Sequence, residues 1–332
     1  MSSPIVQTVP LGTQWPTLDP FLFSAHHLDR YPAGDGALAP AASLAGRDIG
    51  MDFAGVDGWN MYHGSTVPGF PQHPHRGFET VTYVRRGWCD HSDSLGAKAR
   101  FGQGDVQWVT AGAGIVHAEM FPLFATDGPN TLHLFQMWLN LPAASKMVDP
   151  YFSMLWHHQL PVVTGDGAEV TVIAGSLAGR DAPAPPPDSW AATAAHDVAI
   201  WHLRLDADGR LRLPPAGAGA SRVLYLFAGS TTVADQVIGA DTGVVLEATA
   251  EIELVGGASG SEGLVLQGRP IGEPVARYGP FVLNDEAGIR QAMADYQATG
   301  FGGWPWPSDD PVHGPDPERF ARYADGRVEE PA

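Results

Sequence analysis

Apolar residues along this chain recur in short runs broken by Gly, Pro, Asp and Asn. Runs of that length and composition are the signature of strands. FETVTYVRR, DVQWVT, TLHLFQMWLN, VTVIAG, VAIWHLRL, RVLYLFAG, STTVADQVI, EIELVGG and GLVLQG are of this kind, each rich in Val, Ile, Thr or aromatic residues. One stretch reads as a helix, residues 285–299, where Ile289, Met293 and Tyr296 follow i, i+4, i+7 spacing. Asn284 or Asp285 can cap its start and Gly300 can end it. The pattern predicts an all-β chain with a late helix.

A weak internal repeat suggests how the strands are grouped. Val81, Tyr83 and Gly87 in VTYVRRG match Val223, Tyr225 and Gly229 in VLYLFAG in spacing, and a Gly-rich segment follows each. With 332 residues to place, the repeat suggests two antiparallel β-barrels built on one plan. The expected division is 1–150 and 151–300, with the helix closing the second barrel and residues 301–332 as a tail. The Pro-rich stretch 182–190 cannot be a central strand. The tail is poor in aliphatic residues, and Trp304, Trp306, Phe320 and Tyr323 are the residues expected to pin it, either to a barrel or to a second subunit.

His73, His75, His117 and Glu119 carry the chemistry. They occur as His-x-His and His-x-Glu within two strand-like segments, HPHRGFETVTYV and GDVQWVTAGAGIVHAEM. Side chains two residues apart on a strand share a face, so two such pairs on neighbouring strands converge three imidazoles and a carboxylate. Iron, zinc, nickel, copper and manganese all accept that donor set. A divalent ion there carries a net site charge near +1 and, if six-coordinate, keeps two positions for other ligands. A closed structural zinc site is disfavoured, because Cys89 is the single cysteine. In the second copy the positions matching His73 and His75 are Pro215 and Gly217, and no histidine lies between His202 and His313. That barrel is expected to hold no metal and to be filled by side chains such as Leu224, Leu226 and Val245. His91 and His133 are candidates to face the site from outside the ligand set, and Phe78, Trp108, Met120, Phe135 and Met137 offer either an aromatic-friendly wall or plain core.

Composition narrows the partners. Lys and Arg number 19 against 37 Asp and Glu, a formal charge of −18. That disfavours direct nucleic-acid binding, which needs clustered cations, and an anionic membrane surface. The first residues show neither a basic nor an apolar leader segment, and no apolar run is long enough to cross a bilayer. Cys89 has no internal disulfide partner. The expectation is a cytoplasmic protein.

The two histidine motifs resemble those of the pirins, a branch of the cupin superfamily. LHLFQMWLNLPAASKM, VTVIAGSLAG and GPFVLNDEAGIRQAMADYQATGFGG are also similar to pirin segments, so the resemblance runs from about residue 18 to residue 303. It implies a bicupin fold, two packed β-barrels with one Fe(II) per chain in the first, held by His73, His75, His117 and Glu119. Zinc, nickel, manganese or copper are possible substitutes. The general cupin pattern would use Glu79, four residues after the His-x-His, but pirins take their carboxylate from the second motif. The tail beyond Gly303 resembles that of long-tailed bacterial members.

The resemblance further implies quercetin 2,3-dioxygenase-type chemistry, with a small aromatic enol-ketone and dioxygen as substrates and Glu119 as both ligand and catalytic base. The alternative it carries is a non-catalytic, iron-dependent regulator that binds a protein partner, as one nuclear eukaryotic pirin does.

Overall fold

The computed structural model describes residues 3–331. Its contacts divide the chain into two compact units, and both are built of antiparallel strands in the cupin manner. The barrels are not closed. One unit comprises His26–Gln136, Ala143–His157 and Glu273–Ala332; the other comprises Met1–Ala25, Met137–Pro142 and His158–Gly272. The units therefore interleave in sequence, where the composition suggests one boundary near Pro150. Two of the exchanged segments show why. Ile5–Pro10 pairs with Thr242–Leu246 and so belongs with the later strands, while the helix and tail return to the histidine-bearing unit.

In the histidine-bearing unit one sheet runs in the order Val328–Glu329, Phe320–Arg322, Lys98–Gly102, Trp88–Asp93, Ile115–Met120, Gly69–His75. Facing strands Tyr151–Leu155, Asp105–Thr110 and Phe78–Arg86 pair side by side in a second sheet. Val84, Cys89, Phe101, Val109, Phe152 and Trp156 belong to the core of this unit. Each large apolar side chain moved out of water there contributes about 1.5–3 kcal/mol. Burial also raises the Cys89 thiol well above its ordinary pKa, which makes it an inert core residue rather than a reactive one.

The tail extends the first sheet. Phe320–Arg322 pairs with Lys98–Gly102, and Tyr323 is buried in the core against Phe152. Upstream, the Trp306 indole donates to the Asp93 carbonyl at 2.9 Å. A buried ion pair in the sheet also holds the tail. Arg100 grips Asp90 through two hydrogen bonds of 2.6 Å, both side chains are buried, and the third guanidinium nitrogen donates to the Asp316 carbonyl. Asp90 in turn accepts the His313 backbone N–H at 2.7 Å.

The helix spans Glu286–Thr299, with Asp285 accepting the Gly288 N–H as N-cap and Gly300 closing it at φ 56°. Ile289 and Ala292 are its buried residues and Tyr296 packs beside them, whereas Met293 is exposed. The apolar face thus follows i, i+3, i+7, and Ala292 takes the place expected of Met293.

The other unit repeats the plan. Val81 and Tyr83 are buried on Phe78–Arg86 just before Gly87 at φ 83°, and Val223 and Tyr225 are buried on Ser221–Val233 before Gly229 at φ 71°. Leu224 and Leu226 lie in its apolar core, but Val244 and not Val245 joins them. Strand alternation puts Val245 on the other face. STTVADQVI is a hairpin rather than one strand, turning at Ala234 and Asp235, both with positive φ. EIELVGG and GLVLQG merge into the long strand Ile252–Gly268. Among the described residues no helix is long and apolar enough to cross a membrane.

Replacing Arg100 with Leu would strand the Asp90 carboxylate in a buried position. Urea unfolding should show a loss of about 3–5 kcal/mol. A loss below about 1 kcal/mol would mean that the pair behaves as a solvated surface bridge.

Candidate metal centre

Gly69–His75 and Ile115–Met120 pair antiparallel at the border of the tail-extended sheet, with His73 opposite His117 and His75 opposite Ile115. Pro71 and Pro74 are tolerated because this is an edge strand, where a missing N–H costs no ladder bond. The register shifts by one residue between Phe70 and His73, a β-bulge beside the cluster.

His73, His75 and His117 each offer a ring nitrogen, and the three atoms lie within 4.8 Å of one another. His73 Nε2 and His117 Nε2 are 3.0 Å apart. Two ligand atoms at right angles around one ion, with bonds of about 2.1 Å, are separated by about 3.0 Å. The spacing therefore fits a shared ion. A ligating Nε2 needs its proton on Nδ1, and the Pro71 carbonyl holds it there by accepting from His73 Nδ1 at 2.8 Å. At His75 the Pro280 backbone favours the charged ring, against the larger effect of burial. Buried His117 Nδ1 has no hydrogen-bond partner among the described residues.

Protonation also fits. Burial lowers His73 to about 4 and holds His75 and His117 well below the ordinary histidine range, with the neighbouring imidazoles adding to the effect. Neutral imidazole is the ligating form.

Glu119 follows His117 by two residues on the same strand and is buried. Its Oε1 accepts from Thr82 Oγ1 at 2.9 Å and its Oε2 from Gln136 Nε2 at 2.7 Å. Burial raises its pKa, and His91, Thr82 and Gln136 work against the rise. His91 sits opposite Glu119 on Trp88–Asp93, with its ring 5.5 Å from that of His117 and Nε2 3.1 Å from Asp93. His133 instead faces His26, Nε2 to Nε2 at 2.9 Å. Glu79 is buried on Phe78–Arg86 and accepts from Thr110 Oγ1 at 2.7 Å.

The proposed wall is sorted by strand parity. Phe78 shares a face with Thr82, and its ring is 5.2 Å from His75. Trp108, Met120 and Phe135 alternate with Gln107, Glu119 and Gln136, so their side chains leave on the opposite face. Met137 is out of phase with Gln136 in the same way. Thr82 and Gln136 were the residues that patterning missed. The usable signal was Gln136 itself, a lone amide inside the apolar run LHLFQMWLN.

A family model described as Pirin matches residues 47–139, and one described as the Pirin C-terminal cupin domain matches residues 200–302. A pirin-like protein of Caulobacter vibrioides is 39% identical over 236 residues, spanning 70% of this chain and 80% of its own length. A Pseudomonas aeruginosa protein provisionally named a quercetin 2,3-dioxygenase is 38% identical over 236 residues, spanning 70% and 79%. A crystal structure of a quercetin 2,3-dioxygenase from Acinetobacter baumannii superposes with a TM-score of 0.73 at 25% identity, covering 91% of this chain and 99% of that one.

Removing one converging nitrogen should abolish tight binding of an ion. Elemental analysis of purified His117→Ala protein should find metal reduced from about one equivalent per chain to near background. Full metal content in that variant would place the ion elsewhere.

Proposed function

Since this chain belongs to the pirin family of the cupin superfamily, we propose that it is an iron-dependent oxygenase of the quercetin 2,3-dioxygenase type, acting on flavonol-like enol-ketones. The observation that carries the reading is the convergence of three neutral imidazoles, two of them buried and that of His73 half-buried, with the burial-raised carboxylate of Glu119 two residues along the His117 strand. The names of the Pseudomonas and Acinetobacter relatives support it.

In this reading His73, His75, His117 and Glu119 hold one Fe(II). The ion, when bound, supplies Lewis acidity toward the enol-ketone oxygens and a redox centre for dioxygen. The remaining work falls to the chain. Glu119 takes the proton of the 3-hydroxyl group, a transfer favoured by a carboxylate whose basicity burial has increased. Thr82 and Gln136 each hold one of its oxygens, so the proton is received in a fixed position and the base remains ionised until substrate arrives. Phe78 packs against the His75 ring and keeps water from that side. The overall reaction balances as flavonol plus dioxygen giving a ring-opened ester acid plus carbon monoxide, with the proton held by Glu119 returned to the product carboxylate.

Iron-loaded protein should consume oxygen with quercetin and release carbon monoxide. Glu119→Gln should retain part of the metal, because an amide oxygen still coordinates weakly, yet lose turnover by about 10²–10⁴-fold. Oxygen uptake, gas analysis and metal content measured on the same samples decide it. Absence of turnover in the iron-loaded wild type, together with iron-state-dependent binding of a partner protein, would replace catalysis with regulation.

A further inference from the structure

The unit that lacks the histidine motif contains a cavity of about 340 Å³. Its floor is the sheet formed by Ala199–Leu205, Ile252–Gly268 and Ser221–Val233, which contribute Trp201, Gln267 and Arg222. Pro183 and Pro185 of the proline-rich loop cover it, and Pro214 closes one side.

Arg222 is 1% exposed, and its fixed partners are neutral. Nε donates to Gln267 Oε1 at 2.7 Å and one terminal nitrogen to the Pro214 carbonyl at 2.8 Å. Its other terminal nitrogen has no partner among the described residues, and neither has the buried indole N–H of Trp201. Buried donors of this kind are ordinarily satisfied. Two acidic residues also line the cavity. Asp197 offsets part of the guanidinium charge from a distance, but its Oδ2 is occupied by the Gly217 N–H at 2.6 Å, and Asp181 is exposed. The volume lies within the range of small-molecule sites, and apolar walls with a few converging polar groups are their usual lining.

We propose that this cavity binds a small carboxylate-bearing molecule, with the acid group accepting from Arg222 and Trp201 and its apolar body lying against the prolines. The site is independent of the metal centre. A carboxylate satisfies both donors at once and gives the guanidinium a direct counter-ion, which a neutral ligand does not.

The test uses the full chain, with benzoate as probe and benzamide as its neutral counterpart. Calorimetric titration should show saturable benzoate binding, and the Trp201 indole N–H resonance, identified by its loss in Trp201→Phe, should move with the same affinity. Benzamide should bind at least about tenfold more weakly, and Trp201→Phe and Arg222→Lys should each weaken benzoate by about tenfold. His75→Ala should leave benzoate binding unchanged, which separates this site from acid binding to the metal. The proposal is overturned by absence of saturable binding through the millimolar range, which would mean that water alone fills the cavity. It is equally overturned by undiminished affinity in the two cavity variants when they keep the wild-type melting temperature, or by loss of binding in His75→Ala.

Discussion

The antiparallel pairing of Gly69–His75 with Ile115–Met120 sets His73 opposite His117, and the rest of the centre depends on that register. A slip of one residue would turn His73 and His75 to the other face together. Three imidazoles this close cannot all be protonated, and burial keeps them neutral. The His73 ring is aimed by a hydrogen bond from its far nitrogen to the Pro71 carbonyl, whereas His117 Nδ1 has no such partner among the described residues. A cation is the natural partner for what results: lone pairs facing one point, with a carboxylate nearby.

The same sheet explains why the chain continues past its helix. Trp88–Asp93 and Lys98–Gly102 carry the buried Asp90–Arg100 pair, and both partners reach into the tail, one to the His313 N–H and the other to the Asp316 carbonyl. His313 also places its Nε2 2.7 Å from the His91 carbonyl. The tail thus buttresses the strand next to the ligand-bearing strand, and on the sheet side does so through the buried side chains of Asp90 and Arg100.

Much of this was legible in the residues. Short runs of strand formers bounded by turn residues located the strands, the two i, i+2 pairs located the three imidazoles, and the caps Asp285 and Gly300 bounded the helix. What escaped was long-range. Ile5–Pro10 reads as an ordinary strand, and nothing local says that its partner is Thr242–Leu246. Parity errors had a similar origin. Val244 and Val245 are equally apolar, and only pairing decides which faces the core. Thr82 and Gln136 meet Glu119 across separations of 37 and 17 residues, a relation set by sheet order and not by spacing. In the tail, aromatic residues signalled attachment, but the buried ion pair to which the tail backbone also bonds was invisible because Asp90 and Arg100 resemble any surface pair.

The border position of Gly69–His75 has a kinetic consequence. Pro71 and Pro74 present no N–H to a foreign strand, and the Gln72 N–H is already taken by the Asp309 carbonyl at 2.7 Å. The border is therefore closed to strand addition by another molecule. As a border strand it is held by a ladder on one side only, so it can loosen while the core stays packed. For an ion held by the three imidazoles, entry and escape would follow the opening rate of this seam. Residence time would then be a property of one strand, adjustable at Gln72 and Asp309 without altering the histidines.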